Sequence, residues 1–170
     1  MNMRAMIENK TMLSILFLAF LTSFSADAEK IIDKTQYLGV VNGQVKGNNI
    51  VKASRTPSEP QLYLAEGDSE IPTKLVIRNA QGRTALDNKI HISVFQNLGD
   101  GKQALINFQA ILLVDGKQLA VSFKQQGEDL IISVPENSHR VELRTNSPVD
   151  IEFPVDYRGN LQIPVQIEGL

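Results

Sequence analysis

The sequence predicts an all-β fold, an immunoglobulin-like β-sandwich of about seven or eight antiparallel strands over residues 61–170. Three observations predict it. Short apolar runs recur along this region, separated by Gly, Pro, Asn and Asp, at a spacing of about 8–12 residues that is typical of all-β domains. A helical period is hard to find after residue 28. Asp115-Gly116 separates two apolar runs, and Asp-Gly favours the positive φ angles of a tight hairpin turn.

The predicted strands follow from their apolar runs. The clearest is KIHISVF, because Ile90, Ile92 and Val94 alternate with polar residues. The runs that predict the array are QLYLA (61–65), TKLVIR (73–78), KIHISVF (89–95), the two parts of AILLVDGKQLAVSF (110–123), DLIISV (129–134), HRVELRT (139–145), VDIEF (149–153) and LQIPVQI (161–167). YRGN (157–160) predicts the turn that joins the last two strands.

Residues 1–28 predict a cleaved secretory signal peptide. A weakly basic leader precedes an apolar run at 12–24, and Ala-Asp-Ala at 26–28 puts small residues where signal peptidase reads them. The run is shorter than the roughly 20 apolar residues that a transmembrane helix needs. We therefore predict export, with a mature chain that begins at Glu29 and does not insert into the membrane after cleavage.

Charge and cysteine content exclude several classes of function. The chain carries 17 Lys and Arg against 19 Asp and Glu, for a net charge of −2, and no basic stripe that would favour nucleic acid or an anionic membrane. It contains no cysteine. Thiol catalysis, thiolate metal sites and disulfides are therefore excluded, and packing and hydrogen bonding alone must hold the core.

The segment 29–51 is predicted to be an N-terminal arm or a first hairpin. Asn42-Gly43 fits a tight turn between two short runs, whereas a continuous extended arm fits the same residues. Residues 52–60, KASRTPSEP, are polar and contain two prolines, which predicts a loop or linker before the sandwich.

The last predicted strand is an edge that another strand must cover. Its apolar residues alternate with polar ones, and Pro164 interrupts the alternation. Because proline has no N–H, either the strand lies at an edge or this position points away from its neighbour. An unpaired edge is a template for a further strand, which either the chain's own N-terminal part or another molecule provides.

No residue pattern predicts a catalytic, metal or cofactor site. His91 and His139 lie on different predicted strands, and we interpret both as outward, solvated positions rather than as a metal pair or a general base.

The carboxylates lead to the same interpretation. Glu-Gly-Asp at 66–68, with Glu70 nearby, lacks the spacing of a calcium loop and is interpreted as a solvated turn. Asp150 and Glu152 are interpreted as the wet face of a sheet. We therefore predict that the protein is not an enzyme and binds no cofactor.

The mature chain resembles the subunits of bacterial chaperone–usher fimbriae. The resemblance extends over the whole mature chain and rests on the arm before LGVVNGQVKG (38–47), the alternating C-terminal strand, and Tyr157 shortly before the end. In that family each subunit's sandwich lacks one strand, which the N-terminal extension of the next subunit supplies. The resemblance implies a periplasmic protein or a component of a cell-surface fimbrium or pilus. It also implies partners, namely other subunits and a periplasmic chaperone.

By this resemblance, the arm from residue 29 to about 45 is the donor strand and the C-terminal strand lines the acceptor groove. The implied donor positions are Tyr37, Gly39 and Val41. The implied acceptor positions are Leu161, Ile163, Val165 and Ile167. An alternative stays open: a self-complete periplasmic β-sandwich, acting as a binding module or assembly accessory protein, whose arm folds back on its own domain. Asp33 interrupts the apolar alternation of the arm, which favours this alternative.

Overall fold

A computed structural model of the chain describes residues 32–44, 51–57, 60–67, 71–145, 147–154 and 158–170. These residues belong to the unit Ile31–Leu170. The predicted signal peptide and Tyr157 lie outside the described residues.

The described residues form thirteen β-strands and no helix. The strands are β1 (Ile32–Gln44), β2 (Val51–Arg55), β3 (Gln61–Glu66), β4 (Lys74–Ile77), β5 (Ala80–Thr84), β6 (Ile90–Gly99), β7 (Lys102–Val114), β8 (Lys117–Leu119), β9 (Phe123–Gln126), β10 (Asp129–Ser133), β11 (Arg140–Thr145), β12 (Val149–Phe153) and β13 (Arg158–Gly169).

Two antiparallel sheets contain all of these strands. The five-stranded sheet has the order β1-β13-β4-β10-β9. The eight-stranded sheet has the order β2-β12-β7-β11-β3, with β6 and β8 also pairing with β7, and β5 with β6. The predicted all-β antiparallel sandwich is therefore confirmed.

One hydrophobic core joins the two sheets. Strand β7 shows the cause, since every second residue along it is buried while the residues between are half-buried or exposed. Its buried residues are Ala104, Ile106, Phe108, Ala110, Leu112 and Val114. The facing sheet contributes fully buried side chains to the same cluster: Leu75, Ile77, Leu130, Ile132, Val165 and Ile167.

Two Asp-Gly turns shape the larger sheet. Asp115 and Gly116 have φ angles of 49° and 77° and join β7 to β8 as the predicted two-residue hairpin. Asp100 and Gly101, with φ angles of 50° and 71°, join β6 to β7 in the same way. The second hairpin was missed, because the predicted strands ended at residue 95 and began again at 110, although Ala104, Ile106 and Phe108 continue the alternation of β7.

The structure has more strands than the seven or eight predicted, because polar segments also pair. Residues 52–55, which fall in the segment predicted to be a loop, belong to β2 and pair with β12. Strand β1 continues through Asn42 and Gly43, so the described part of the arm is extended rather than a hairpin. Residues 158–160, predicted to lie in a turn, begin β13.

Candidate functional site

The candidate site is the edge of the smaller sheet where β1 lies against β13. Strand β13 lies between β1 and β4, but its two neighbours differ in length. The ladder with β1 runs from Arg158 to Gly169, whereas the ladder with β4 covers residues 167–169. Among the described strands, residues 158–164 of β13 therefore pair with β1 alone.

The C-terminal half of β13, residues 165–169, is built into the body of the domain together with the following Leu170. Val165 and Ile167 are fully buried, and each such burial contributes roughly 1.5–3 kcal/mol. Lys74 and Leu170 exchange both backbone hydrogen bonds, at 2.9 Å each. This half is therefore held by the core and by β4 as well as by β1.

A charged cluster adds a second attachment for this half. The Arg78 guanidinium donates to both oxygens of Glu168, at 3.2 Å and 2.5 Å, and to Asp129 on β10 at 2.6 Å. The hydrogen bonds to Glu168, and then the one to Asp129, raise the pKa of Arg78 above its ordinary value. This cluster was not predicted from the sequence, because Arg78 and Glu168 lie 90 residues apart and no local pattern connects them.

Gly169 allows the end of β13 to approach the opposite sheet. A Cβ at this position would overlap the hydroxyl oxygen of Tyr63 on β3 and lie 3.0 Å from the ring of Pro72. Tyr63 is fully buried, and burial raises the pKa of its phenol. A glycine is therefore required here by close packing between the sheets.

The register of β1 on β13 contains one irregularity. Ile32 to Tyr37 pair with Gly169 to Pro164 residue for residue, and Gly39 to Gln44 pair with Ile163 to Arg158. Leu38 is the extra residue between these two stretches, a β-bulge. Tyr37 and Leu38 thus lie opposite the single residue Pro164.

The direction of the hydrogen bonds along β13 explains why Pro164 is tolerated. Leu170 exchanges both bonds with Lys74, and Arg78 donates to the Gln166 carbonyl at 3.3 Å, so these alternate residues point towards β4. Pro164 continues that series and points away from β1. Strand β4 has ended by this level, and the N–H of Ala80 bonds to Glu128 instead. The missing N–H of proline therefore costs no bond in either described ladder.

Comparison with known proteins gives this edge its context. Over 160 residues the chain is 49% identical to the K88 minor fimbrial subunit FaeF of Escherichia coli, which covers 94% of this chain and 98% of that protein. The chain belongs to this family of fimbrial subunits. Residues 12–169 also match a family of unknown function, DUF5462. No solved structure matches.

The family confirms the predicted resemblance to bacterial fimbrial subunits. It supports a structural rather than an enzymatic role for the chain. It also supports the predicted export to the periplasm or the cell surface, because fimbrial subunits are exported proteins. Cleavage after residue 28 concerns residues outside the described ranges and stays a prediction.

The structure gives each predicted donor and acceptor residue a position in the β1–β13 ladder. Gly39 lies opposite Ile163, and Val41 lies opposite Leu161. Tyr37 lies opposite Pro164, on the other side of the bulge from Gly39. The acceptor positions Val165 and Ile167 belong to the buried core and lie opposite Gln36 and Lys34. Their roles in strand donation remain predictions.

The two histidines of this fimbrial subunit lie in separate surroundings. His91 lines an open cleft of about 510 Å³, with its Nε2 atom 3.5 Å from the Gln109 amide nitrogen. His139 is exposed and lines a different cleft, beside Pro135 and Gly67. Within the described ranges, no three His, Asp or Glu side chains are grouped so that they could hold a metal ion.

The predicted carboxylate turn is described only in part. Glu66 accepts a hydrogen bond from Arg140 at 2.6 Å, and Asp68 and Glu70 lie outside the described residues. Asp150 is exposed and Glu152 half-buried on β12. The described residues contain no helix that is long and apolar enough to cross a membrane.

Proposed function

We propose that this chain is a structural subunit of a fimbrium and that strand addition at the β1–β13 edge joins it to neighbouring subunits. The arm from residue 29 to about 45 is the donor strand, and the strand from Leu161 to Ile167 lines the acceptor groove. The observation that carries the proposal is the ladder of β1 along the whole of β13, over residues 158–164 that pair with no other described strand.

The energetics support exchange of β1 between subunits. A strand that leaves its own domain and enters the same position in another copy recovers the same backbone bonds, so swapping has a low cost. Exchange also links the subunits into one assembly, because each subunit binds the next by main-chain hydrogen bonds. A net domain stability of about 5–15 kcal/mol leaves little margin for an uncovered edge. Before assembly, a periplasmic chaperone that covers the edge is the second expected partner.

The test is the oligomeric state of the full chain, expressed with its own leader and purified from the periplasm. Light scattering after size exclusion should give a ladder of heat-resistant oligomers. Deleting residues 32–44 should collapse the ladder, and a synthetic peptide of those residues should bind the deleted protein. Gln126→Lys, at an exposed position of the opposite edge strand β9, is the control and should leave the ladder intact.

A self-complete binding module is the second candidate function. The pairing of β1 with β13 of the same chain favours it, because the edge is then covered without a partner. This candidate gives a monomer with one cooperative unfolding transition at every protein concentration. That result would refute strand addition between copies.

A further inference from the structure

Two backbone irregularities lie at the same level of the β1–β13 pair. On β1, Leu38 is an extra residue between the stretches that match β13 one to one. On β13, Pro164 lies opposite that bulge. Pro164 also marks a boundary within β13. Among the described strands, the residues up to Pro164 pair only with β1, and the residues after it are built into the core.

Each irregularity favours a local change of direction in the strand that carries it. Proline fixes φ near −65°, far from the value of about −140° typical of an antiparallel strand. A bulge bends its strand and increases the local twist. A regular strand beside β13 would have to follow this change of direction without an extra residue. Strand β1 has the extra residue where the direction changes.

The extra residue also separates two registers. Tyr37 lies opposite Pro164 on one side of the bulge, and Gly39 lies opposite Ile163 on the other, so the pairing shifts by one residue between the two sides. A one-residue shift exchanges the two faces of a strand. A strand that lacks the extra residue can therefore be in register with only one half of β13. Along the other half it is out of register by one residue.

We propose that Leu38 and Pro164 are a matched pair that selects the strand admitted to this edge. Under the strand addition proposed above, that strand is the arm of a second copy of this chain. The arm of a second copy carries the extra residue at the required level, as β1 does here. The inference rests on strand addition for its partner, but the match between the two residues is tested separately from it.

Disulfide trapping suits this chain, which has no cysteine of its own. Thr35 lies opposite Gln166, and Val40 lies opposite Gln162, one pair on each side of the bulge. Both belong to the pairs that are not hydrogen-bonded to each other, with Cα atoms about 4.5 Å apart, within the disulfide range. The full chain is made with one or the other cysteine pair and oxidised, and the cross-link yield is measured. The same measurement is made in a chain that lacks Leu38, in Pro164→Val, and in a chain with both changes.

The matched-pair inference predicts a reciprocal pattern. Both cysteine pairs should cross-link in the otherwise unchanged chain. Deleting Leu38 alone, or Pro164→Val alone, should lower the yield of at least one pair about tenfold, as expected for coupled neighbours. Combining the two changes should restore both yields. Equal yields in all four backgrounds, or a double variant no better than the single ones, would overturn the inference even if a single variant folds poorly.

The identity of the partner has its own readout. Chains carrying only Thr35→Cys are mixed with chains carrying only Gln166→Cys, and a covalent dimer of the two is expected. Lys124→Cys, exposed on the other edge strand β9, replaces Gln166→Cys as the control and should give no such dimer. Cross-links confined to single chains would reject the second copy as partner and strand addition with it. In that case, the cross-link yields of the single and double variants would still show whether Leu38 and Pro164 are matched.

Discussion

The two halves of β13 are continuous in sequence but differ in what holds them. Residues 165–169 and the following Leu170 are attached by buried side chains, by a reciprocal pair of backbone bonds with Lys74, and by the Arg78 cluster. Residues 158–164 pair with β1 and with no other strand among those described. The same strand thus contains a part attached to the core and to β4, and a part that pairs with β1 alone among the described strands.

The largest expected effect is on the core-attached half. Ile167→Ala removes a fully buried side chain and should lower the free energy of unfolding by about 2–5 kcal/mol, measured by urea denaturation. Leu161→Ala is the matched change in the other half. Leu161→Ala should lower the free energy of unfolding of the monomer by less than Ile167→Ala does, but it should weaken oligomer formation. An equal loss of stability from both changes would contradict the division of β13.

A smaller effect is expected at Gly169. Gly169→Ala brings a methyl group onto the Tyr63 hydroxyl and should lower the free energy of unfolding by about 1–3 kcal/mol, the usual cost of overpacking. Thermal and chemical denaturation measure it. If the close approach is the cause, Tyr63→Phe should recover part of the loss. Gly116→Ala lacks such a contact but sits at a positive φ, so Tyr63→Phe should not rescue it.

The smallest expected effect is the pH dependence from Tyr63. Burial raises its folded-state pKa above the ordinary value of 10.0, so the unfolded chain loses the phenolic proton first as the pH rises. Its contribution is fully present below pH 10 and declines as the pH rises through the folded pKa. Urea denaturation between pH 9 and pH 11, in steps of about half a unit, should show a flatter decline for Tyr63→Phe. If the free energy of unfolding falls equally steeply with pH in both proteins, the assignment of this pH dependence to Tyr63 is wrong. Tyr37→Phe, on the edge strand β1, is the control and should leave the decline unchanged.

The sequence predicted the sandwich because its signals are local. Alternating runs such as Ile90 to Val94 show their buried face directly, and Asp115-Gly116 requires the φ angles that the hairpin uses. Strands such as β2 and β5 could not be predicted in this way. They are short and polar, and pairing with β12 and β6 holds them rather than their own composition.

The candidate site was predictable as an edge but not in its details. The alternation of the last strand and the presence of an arm suggested that the two pair. The bulge at Leu38 depends on the register between two strands that lie more than 120 residues apart in the sequence. No pattern within either strand reveals it. The Arg78–Glu168 contact is equally non-local.

Pro164 has a further consequence for the shape of an assembly. The side of β13 that faces away from β1 lacks one hydrogen-bond donor at the level where β4 has ended. A foreign strand approaching from that side would meet a gap in its ladder, whereas the β1 side offers every bond. Under the strand addition proposed above, each subunit would therefore have one receptive side and one successor. The polymer would then lengthen without branching.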